Sequence, residues 1–168
     1  MNTHPGGEKH TRRMLALAPL TDGAKILDMG AGAGETVTIL RTQGYEAVGI
    51  DLAPRGENVE KADFLCAPFP KESFDAVISQ CAFFVSGNAG KALSEAYRVL
   101  KKGGILMLSD VFFRNAVEVA ESVPFKVLHS EDLTAQWREY YLEALWRGAV
   151  CCGIRGRCTY EMLICKKE

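Results

Sequence analysis

The sequence lacks a long apolar run, because no stretch of about 18 consecutive apolar residues occurs, and no membrane-spanning helix is predicted. It also lacks a dominant charge: 20 basic and 21 acidic residues give a formal net charge of −1, without a dense basic stripe. This balance disfavours DNA or RNA as a partner bound mainly through phosphates. Residues 1–10 are polar and unlike a signal peptide, which predicts a cytoplasmic protein.

The cysteine spacing of a zinc site is also missing, because none of the six cysteines forms a C-x-x-C pair. We therefore predict no metal site, and we expect reduced cysteines. Three of them, Cys151, Cys152 and Cys158, nevertheless lie close together near the carboxyl terminus. They are either small buried apolar side chains or thiolates that bind a soft metal or a metalloid substrate.

What the chain does have is an alternation of strand-like and helix-like segments over 168 residues, enough for one compact domain. We predict strands at 25–29, 47–51, 59–64, 74–79, 105–110, 125–129 and 159–166, and helices at 8–18, 35–42, 89–101 and 133–147. This alternation is typical of a doubly wound α/β fold with a mostly parallel sheet and helices on both faces. Ligands of such sheets bind beyond the carboxyl ends of the strands.

The most informative segment is the glycine-rich turn Asp28-Met29-Gly30-Ala31-Gly32-Ala33-Gly34-Glu35, between a predicted strand and a predicted helix. Alternate glycines let a ligand approach the backbone, and the N–H groups of the following helix face that ligand. Dinucleotide-binding turns read G-x-G-x-x-G and hold a pyrophosphate anion. Here a carboxylate precedes the first glycine, and Glu35 stands where the third dinucleotide glycine would fall. The turn therefore favours a ligand with a positively charged end.

The next predicted strand ends in a second carboxylate, Asp51. An acidic residue about 20 positions after a glycine turn accepts hydrogen bonds from ribose hydroxyls in dinucleotide sites. Asp51 thus predicts a nucleoside ligand. The alternative is that it caps a helix starting near Pro54.

These motifs resemble the class I, seven-stranded, Rossmann-like S-adenosylmethionine-dependent methyltransferases, and the resemblance covers residues 9–108. Asp63-Phe64 matches the pair that contacts adenine in that family. Residues 68–75 match the pattern P-F-P-x-x-S-F-D, which is common among its small-molecule enzymes, and residues 98–104 match a scaffold turn. The resemblance implies strand order 3-2-1-4-5-7-6 with an antiparallel last strand. It also implies one methyltransferase domain over 1–168, comprising an N-terminal segment and helix (1–18), a cofactor-binding half (24–110) and C-terminal strands and helix (111–168).

The resemblance further implies S-adenosylmethionine as cofactor, S-adenosylhomocysteine as product and a small-molecule acceptor. The implied cofactor-binding residues are Asp28, Gly30, Ala31, Gly32, Gly34, Asp51, Leu52, Asp63, Phe64, Gln80 and Cys81. The phenylalanines that follow the fourth and fifth strands either wall an apolar substrate pocket or cover the sheet; they are Phe83, Phe84, Phe112 and Phe113.

Three histidines are the candidate bases. His4 and His10 either fold over the mouth of the site, with residues 5–7 as a hinge, or are exposed in a frayed terminus. His129 ends the predicted sixth strand and is as well explained by a loop or capping role. Tyr140 and Tyr141, on the predicted last helix, are interpreted as packing residues.

Other interpretations remain open. Amino-directed nucleic-acid methyltransferases carry an N-P-P-Y type motif, which the sequence lacks. The segment 111–124 is short where relatives place a substrate-covering insertion, so a homodimer or a partner chain could complete the pocket. The chain could then be a non-catalytic cofactor-binding subunit. A nicotinamide- or flavin-dependent oxidoreductase is disfavoured by Asp28 and Glu35.

Overall fold

The computed structural model describes residues 4–148 and 156–168 and contains a seven-stranded sheet in the order β3-β2-β1-β4-β5-β7-β6. The strands are β1 Lys25–Met29, β2 Glu46–Asp51, β3 Val59–Lys61, β4 Phe74–Gln80, β5 Leu100–Phe112, β6 Phe125–Asp132 and β7 Thr159–Lys167. The helices are α1 Gly7–Leu17, α2 Glu35–Thr42, α3 Ala89–Val99, α4 Ala116–Ala120 and α5 Thr134–Trp146. The predicted fold class is confirmed.

Pairing is parallel from β3 through β5, whereas β7 runs antiparallel to both β5 and β6. The strands of the parallel part are nearly continuous apolar runs because helices cover both of their faces. Alternate residues of one strand therefore enter different cores: Leu106 lies in one cluster and Met107 in the other. The carboxyl ends of β1, β2 and β4 meet at one edge, which positions the site described below.

The largest boundary differences from the prediction are in β3, α3, β5 and β6. The strand predicted over 59–64 ends at Lys61, because the Asp63 carboxylate accepts the Leu65 N–H at 2.8 Å and starts a 3₁₀ turn, Phe64–Cys66. The α3 helix ends at Val99 instead of continuing to residue 101, and β5 begins at once. β6 extends to Asp132.

A short helix, α4, lies in the segment 111–124, where no helix was predicted. Its cap is the Asn115 side chain, which accepts the Glu118 N–H at 3.1 Å. Five helical residues are too few for a periodic apolar pattern to stand out in the sequence.

Within residues 4–148 and 156–168, no helix is long and apolar enough to cross a membrane. The same part of the chain contains no group of three histidine, cysteine or acidic side chains arranged for a metal ion. Cys151 and Cys152 lie outside the described residues, and Cys158 is half-buried. The proposed thiolate cluster stays a hypothesis.

Candidate functional site

A cavity of about 750 Å³ lies at the carboxyl edge of β1, β2 and β4. This volume is within the range of roughly 300–1,000 Å³ that is typical of small-molecule sites. Ten of the eleven residues predicted to bind the cofactor line it: Asp28, Gly30, Ala31, Gly32, Asp51, Leu52, Asp63, Phe64, Gln80 and Cys81. The eleventh, Gly34, is the N-cap residue of α2 and is not part of the cavity wall.

The glycines of the turn are required by the protein itself. Gly30 has φ 87°, and a Cβ built on it would lie 2.3 Å from the Ala82 Cβ. Gly32 has φ 55°, and its Cβ would lie 2.7 Å from a guanidinium nitrogen of Arg55. The sequence argument assigned this space to a ligand. At Gly30 this space holds the Ala82 side chain, so that glycine also serves close packing, whereas at Gly32 the neighbour is the end of the flexible Arg55 side chain. Both glycines line the cavity, and the ligand role predicted for them stays a prediction.

Asp28 is the most unusual carboxylate of the cavity. It is 3% exposed, and its Oδ2 atom is buried without a hydrogen-bond partner among the described residues. Burial, followed by the charge of Asp51, raises the pKa of Asp28 to about 7. A buried carboxylate oxygen without a donor is costly to fold around, so a cationic ligand group that reaches it would be strongly favoured.

Asp51 joins two loops at the end of β2. Its Oδ2 atom accepts the Gly32 N–H at 2.9 Å, and its Oδ1 atom accepts the Ala53 N–H at 2.9 Å. The alternative of a helix starting near Pro54 is wrong, because residues 52–58 form none. These two bonds fix the carboxylate, and an ionised carboxylate has about four acceptor positions, which leaves room for ligand hydroxyls.

Asp63 and Phe64 follow β3 at the far side of the cavity. The Phe64 ring packs against the Phe83 ring, with centroids 5.6 Å apart. The 3₁₀ turn that begins there orients both residues, and both contribute to the cavity wall.

Gln80, at the end of β4, connects the site to the N-terminal segment. Its Oε1 atom accepts hydrogen bonds from the Thr36 hydroxyl at 3.0 Å and the Thr11 hydroxyl at 3.3 Å. Its Nε2 atom lies 3.4 Å from His4 Nδ1. Residues from α1, α2 and the chain before α1 therefore converge on one amide.

The histidines have three different environments. His4 is 6% exposed and lines the cavity, and His10 is buried, with Nε2 2.8 Å from the Ser109 hydroxyl. The alternative that both are exposed in a frayed terminus is therefore wrong. His129 lies on the edge strand β6, 3.6 Å from Glu131, and does not reach the cavity.

The structure does not bring the four phenylalanines together as a cavity wall. Phe83 is 1% exposed and belongs with Phe112 to one core cluster. Phe84 packs against Phe113, whose side chain is 48% exposed, with ring centroids 5.5 Å apart. None of the four lines the cavity. The burial of Phe83 and Phe112 favours the alternative that they cover the sheet, whereas Phe113 is exposed beside Phe84.

Cys81 is held in an uncommon conformation beside the cavity. Its φ is 57°, in the left-handed region that favours glycine. Its Sγ atom lies 3.2 Å from the hydroxyl of Tyr160, and that hydroxyl accepts a bond from the Ser109 hydroxyl at 2.9 Å. A buried polar chain thus runs from this wall to His10.

Sequence reasoning missed several lining residues, among them Thr36, Ala53, Arg55, Leu65, Ala82, Val85, Ser86 and Tyr140. Glu35 also lines the cavity; it had been noted only as a departure from dinucleotide turns. Arg55 and Ser86 lie on loops without a periodic pattern. Tyr140 was interpreted as a packing residue, and only the position of α5 over the mouth brings it to the site.

Comparison with known proteins points to a family. The methyltransferase domain family matches residues 27–108, just under half of the chain, and the matched part includes the glycine turn, Asp51, Asp63 and Gln80. This part of the chain is similar to a methyltransferase domain, and the fold of the sheet is that of class I methyltransferases. Proteins of this class use S-adenosylmethionine as the methyl donor.

The chain is 38% identical to demethylmenaquinone methyltransferase from Thermus thermophilus over 113 residues, which are 58% of this chain and 51% of that protein. It thus spans about half the length of the curated relatives that it matches first. The family match covers residues 27–108, a range that contains all the cavity-lining residues except His4 and Tyr140.

Solved structures with the same fold differ in activity. Phosphoethanolamine N-methyltransferase 2 from Haemonchus contortus, in complex with phosphomonomethylethanolamine and S-adenosylhomocysteine, has a TM-score of 0.76 at 17% identity, covering 98% of this chain and 54% of that chain. The cyclase SpnF has a TM-score of 0.74 at 20% identity, covering 95% of this chain and 80% of that chain. The fold alone therefore does not determine the reaction.

Proposed function

We propose that this chain binds S-adenosylmethionine along the carboxyl edge of the sheet and transfers the methyl group to a small-molecule acceptor. The observation that carries the proposal is Asp28, whose buried Oδ2 atom lacks a hydrogen-bond partner among the described residues. The α-ammonium group of the cofactor would supply both a donor and a positive charge to this oxygen. A pyrophosphate anion would instead be repelled by it.

The order of the side chains along the edge supports the same ligand. The sheet order β3-β2-β1-β4 places Asp63 after β3, Asp51 at the end of β2 and Asp28 in β1. Because neighbouring strands are about 4.8 Å apart, the row from β3 to β4 spans roughly 14 Å. An extended nucleoside joined to an amino acid fits this row, with adenine at Asp63 and Phe64, ribose at Asp51 and the amino-acid end at Asp28.

S-adenosylmethionine supplies an electrophilic methyl group on a sulfonium. The task of the protein is then to hold the cofactor and an acceptor in line, which by itself accounts for a large part of the rate acceleration. Asp51, fixed by two backbone N–H groups, orients the ribose. Asp28 anchors the amino-acid end, and Val85, Ser86 and Tyr140 flank the remaining mouth of the cavity, where the acceptor would enter.

The acceptor class is proposed from charge and from the relatives. The Thermus thermophilus relative is a demethylmenaquinone methyltransferase, which acts on a small molecule. The near-zero net charge, without a dense basic stripe in the sequence, disfavours a nucleic acid bound mainly through its phosphates.

Calorimetry with S-adenosylhomocysteine and NADH, on the wild type and two variants, tests the proposal. We expect S-adenosylhomocysteine to bind and NADH not to bind. Asp51→Ala should weaken S-adenosylhomocysteine binding by about 1.5–3 kcal/mol, because ribose hydroxyls would lose a charge-assisted partner. Asp22→Ala, on an exposed turn outside the cavity, is the matched control and should bind normally.

NADH binding with comparable affinity would contradict the cofactor assignment, and unchanged affinity in Asp51→Ala would contradict the ribose assignment. Methyl transfer by the isolated chain to a metabolite panel then distinguishes an enzyme from a non-catalytic binding subunit.

A further inference from the structure

Arg55 is the single lysine or arginine among the described residues that line the cavity. Burial lowers the pKa of His4, the histidine of this wall, so its ring is neutral at pH 7. Arg55 is therefore the one cationic side chain that the described wall presents to a ligand. The same wall contains the carboxylates of Asp28, Glu35, Asp51 and Asp63.

The backbone of Arg55 is fixed against the glycine turn. Its N–H donates to the Gly32 carbonyl oxygen at 2.9 Å. The next residue, Gly56, lies so close to the turn that an added Cβ would be 2.2 Å from the Ala33 carbonyl oxygen. The Gly32 N–H in turn donates to the Asp51 carboxylate at 2.9 Å. The loop after β2 therefore holds residue 55 at a defined place beside the turn.

The guanidinium group of Arg55 lies along the turn without a protein partner. Its Nη2 atom is 2.7 Å from the position that a Cβ on Gly32 would take. Within residues 4–148 and 156–168, this exposed group forms neither an ion pair nor a hydrogen bond. A guanidinium has five N–H donors in a planar fork that matches a carboxylate. The fork is thus available to an anionic group of a ligand.

The backbone of the turn offers such a group few donors of its own. The Gly30 and Ala31 N–H groups both donate to the Ile50 carbonyl oxygen, at 2.9 and 3.0 Å. The Gly34 N–H donates to the Ala31 carbonyl oxygen at 2.8 Å, and the Gly32 N–H is bound by Asp51. An anion at this turn therefore depends on a side chain for its hydrogen bonds.

The amino-acid end of S-adenosylmethionine brings an anion to this place. Its ammonium and carboxylate groups are attached to the same carbon atom, so a carboxylate accompanies the ammonium that we assign to Asp28. Gly32 and the Arg55 guanidinium belong to the turn region that follows β1 directly. Among the acidic side chains of the cavity, a carboxylate without a cationic partner would be repelled.

We propose that Arg55 binds the α-carboxylate of the cofactor, so that Asp28 and Arg55 together recognise the zwitterionic amino-acid end; this rests on the proposed function. The pair would select a nucleoside that carries both charges from one that carries only the ammonium. Arg55 would then be a specificity-determining residue for the cofactor, without a part in the transfer step.

Calorimetry with three ligands tests the proposal. S-adenosylmethionine has both charges of the amino acid, decarboxylated S-adenosylmethionine lacks only the carboxylate, and methylthioadenosine lacks the whole amino-acid end. We expect the wild type to bind S-adenosylmethionine at least about tenfold more tightly than the decarboxylated ligand, because a charge-assisted pair is lost with the carboxylate.

Arg55→Met keeps the apolar stem of the side chain and removes the fork. It should weaken binding of S-adenosylmethionine by about 10–100-fold. Binding of the decarboxylated ligand should stay the same or become slightly tighter, because a cation that repels it has been removed. Methylthioadenosine, which is uncharged, should bind as to wild type. Arg55→Lys keeps the charge without the fork and should lose less affinity for S-adenosylmethionine than Arg55→Met.

Lys61→Met is the matched control. Lys61 is an exposed cation at the end of β3 and does not line the cavity, so its replacement changes the net charge by the same amount. It should alter the affinity for each ligand by less than about twofold. An equal loss of S-adenosylmethionine affinity in Lys61→Met and Arg55→Met would show a long-range effect of charge and overturn the proposal.

The remaining outcomes separate binding from loop structure. If Arg55→Met weakens all three ligands equally and lowers the Tm of the free protein, Arg55 supports the loop and the proposal is wrong. If Arg55→Met binds S-adenosylmethionine with wild-type affinity, another group receives the carboxylate and the proposal is again wrong. If the wild type binds neither S-adenosylmethionine nor S-adenosylhomocysteine, the proposed function itself fails.

Discussion

The ends of β1 and β5 each contain a buried carboxylate, but the two carboxylates differ in their hydrogen-bond partners. At the end of β5, Asp110 accepts the Val111 N–H at 2.8 Å and the Phe84 N–H at 3.1 Å. In β1, Asp28 has an oxygen without a partner among the described residues. Burial raises the pKa of both, to about 6 for Asp110 and about 7 for Asp28.

The difference separates a structural carboxylate from one available to a ligand. Asp110 holds the loop after β4 in place by accepting its backbone N–H groups. Asp28 lines the cavity, and its buried Oδ2 atom has no hydrogen-bond partner among the described residues. A protein does not keep an unsatisfied buried charge for stability, because its desolvation is unfavourable. The contrast therefore supports a binding role for the β1 end and a scaffolding role for the β5 end.

The largest effect is expected from Gly30→Ala, which changes the turn that follows β1. The new Cβ would lie 2.3 Å from the Ala82 Cβ, and the residue has φ 87°. Strain and overpacking together should lower the free energy of unfolding by about 2–4 kcal/mol, measured by urea denaturation.

Gly44→Ala is the control for this prediction, because Gly44 has the same φ of 87° with nothing within 4 Å of its Cβ position. Gly44→Ala should lower the free energy of unfolding by only about 1–2 kcal/mol, which is the contribution of the strained backbone alone. Equal losses in the two variants would show that the close packing of the turn against the loop after β4 is unimportant.

Asp28→Asn should weaken S-adenosylhomocysteine binding by about 1.5–3 kcal/mol, because a neutral amide cannot form the charge-assisted bond to the ammonium group. At pH 8 the ligand-free variant should be at least as stable as wild type, because a buried charge has been removed. Calorimetry and thermal unfolding measure the two quantities. A variant that is less stable but binds normally would assign Asp28 to the scaffold.

Asp110→Asn should show the reverse behaviour. One of its two backbone donors would face an amide NH₂ group, so the free energy of unfolding should fall by about 1–2 kcal/mol. Binding of S-adenosylhomocysteine should change by less than about 0.5 kcal/mol, since Asp110 does not line the cavity. If Asp110→Asn instead lost most of its affinity for S-adenosylhomocysteine and kept its free energy of unfolding, the scaffolding role of Asp110 would be contradicted.

The smallest effect is the pH dependence of binding. The pKa of Asp28 is raised to about 7 in the folded protein without ligand, and an ammonium partner favours the ionised form. Binding therefore releases a proton below pH 7, and affinity should fall by up to about tenfold per pH unit on acidification from 7 to 6. Calorimetry at pH 6 and pH 7 should show no such proton release and no such loss of affinity in Asp28→Asn.

The raised pKa of Asp28 also makes the stability of the ligand-free protein depend on pH. Between about pH 4 and 7, the folded ligand-free protein holds a proton on Asp28 that the unfolded chain has lost, so this contribution to stability declines as pH rises. The lowered pKa of His10 acts in the opposite direction. The difference in Tm between wild type and Asp28→Asn isolates the carboxylate, and a difference that is constant from pH 5 to 8 would argue against its raised pKa.

The sequence by itself determined the alternation of strands and helices, the glycine turn and the row of acidic residues at strand ends, whereas the strand order was implied by the resemblance to the methyltransferases. Apolar periodicity and turn residues act over a few neighbouring positions, so β1 and α2 were predicted with the observed bounds. In a parallel sheet, strand ends meet at one edge, which is why the sequence predicts that Asp28, Asp51, Asp63 and Gln80 lie together.

Only the tertiary structure decided which side chains reach the cavity from distant elements. His4 comes from before α1 and Tyr140 from α5, and no local pattern encodes those approaches. The phenylalanines illustrate the same limit of sequence-based prediction. Phe83 and Phe112 lie near the ends of the expected strands, but their side chains are buried in the core and do not face the cavity. Local sequence sets the direction of the backbone, whereas long-range packing sets which of its side chains are left facing a ligand.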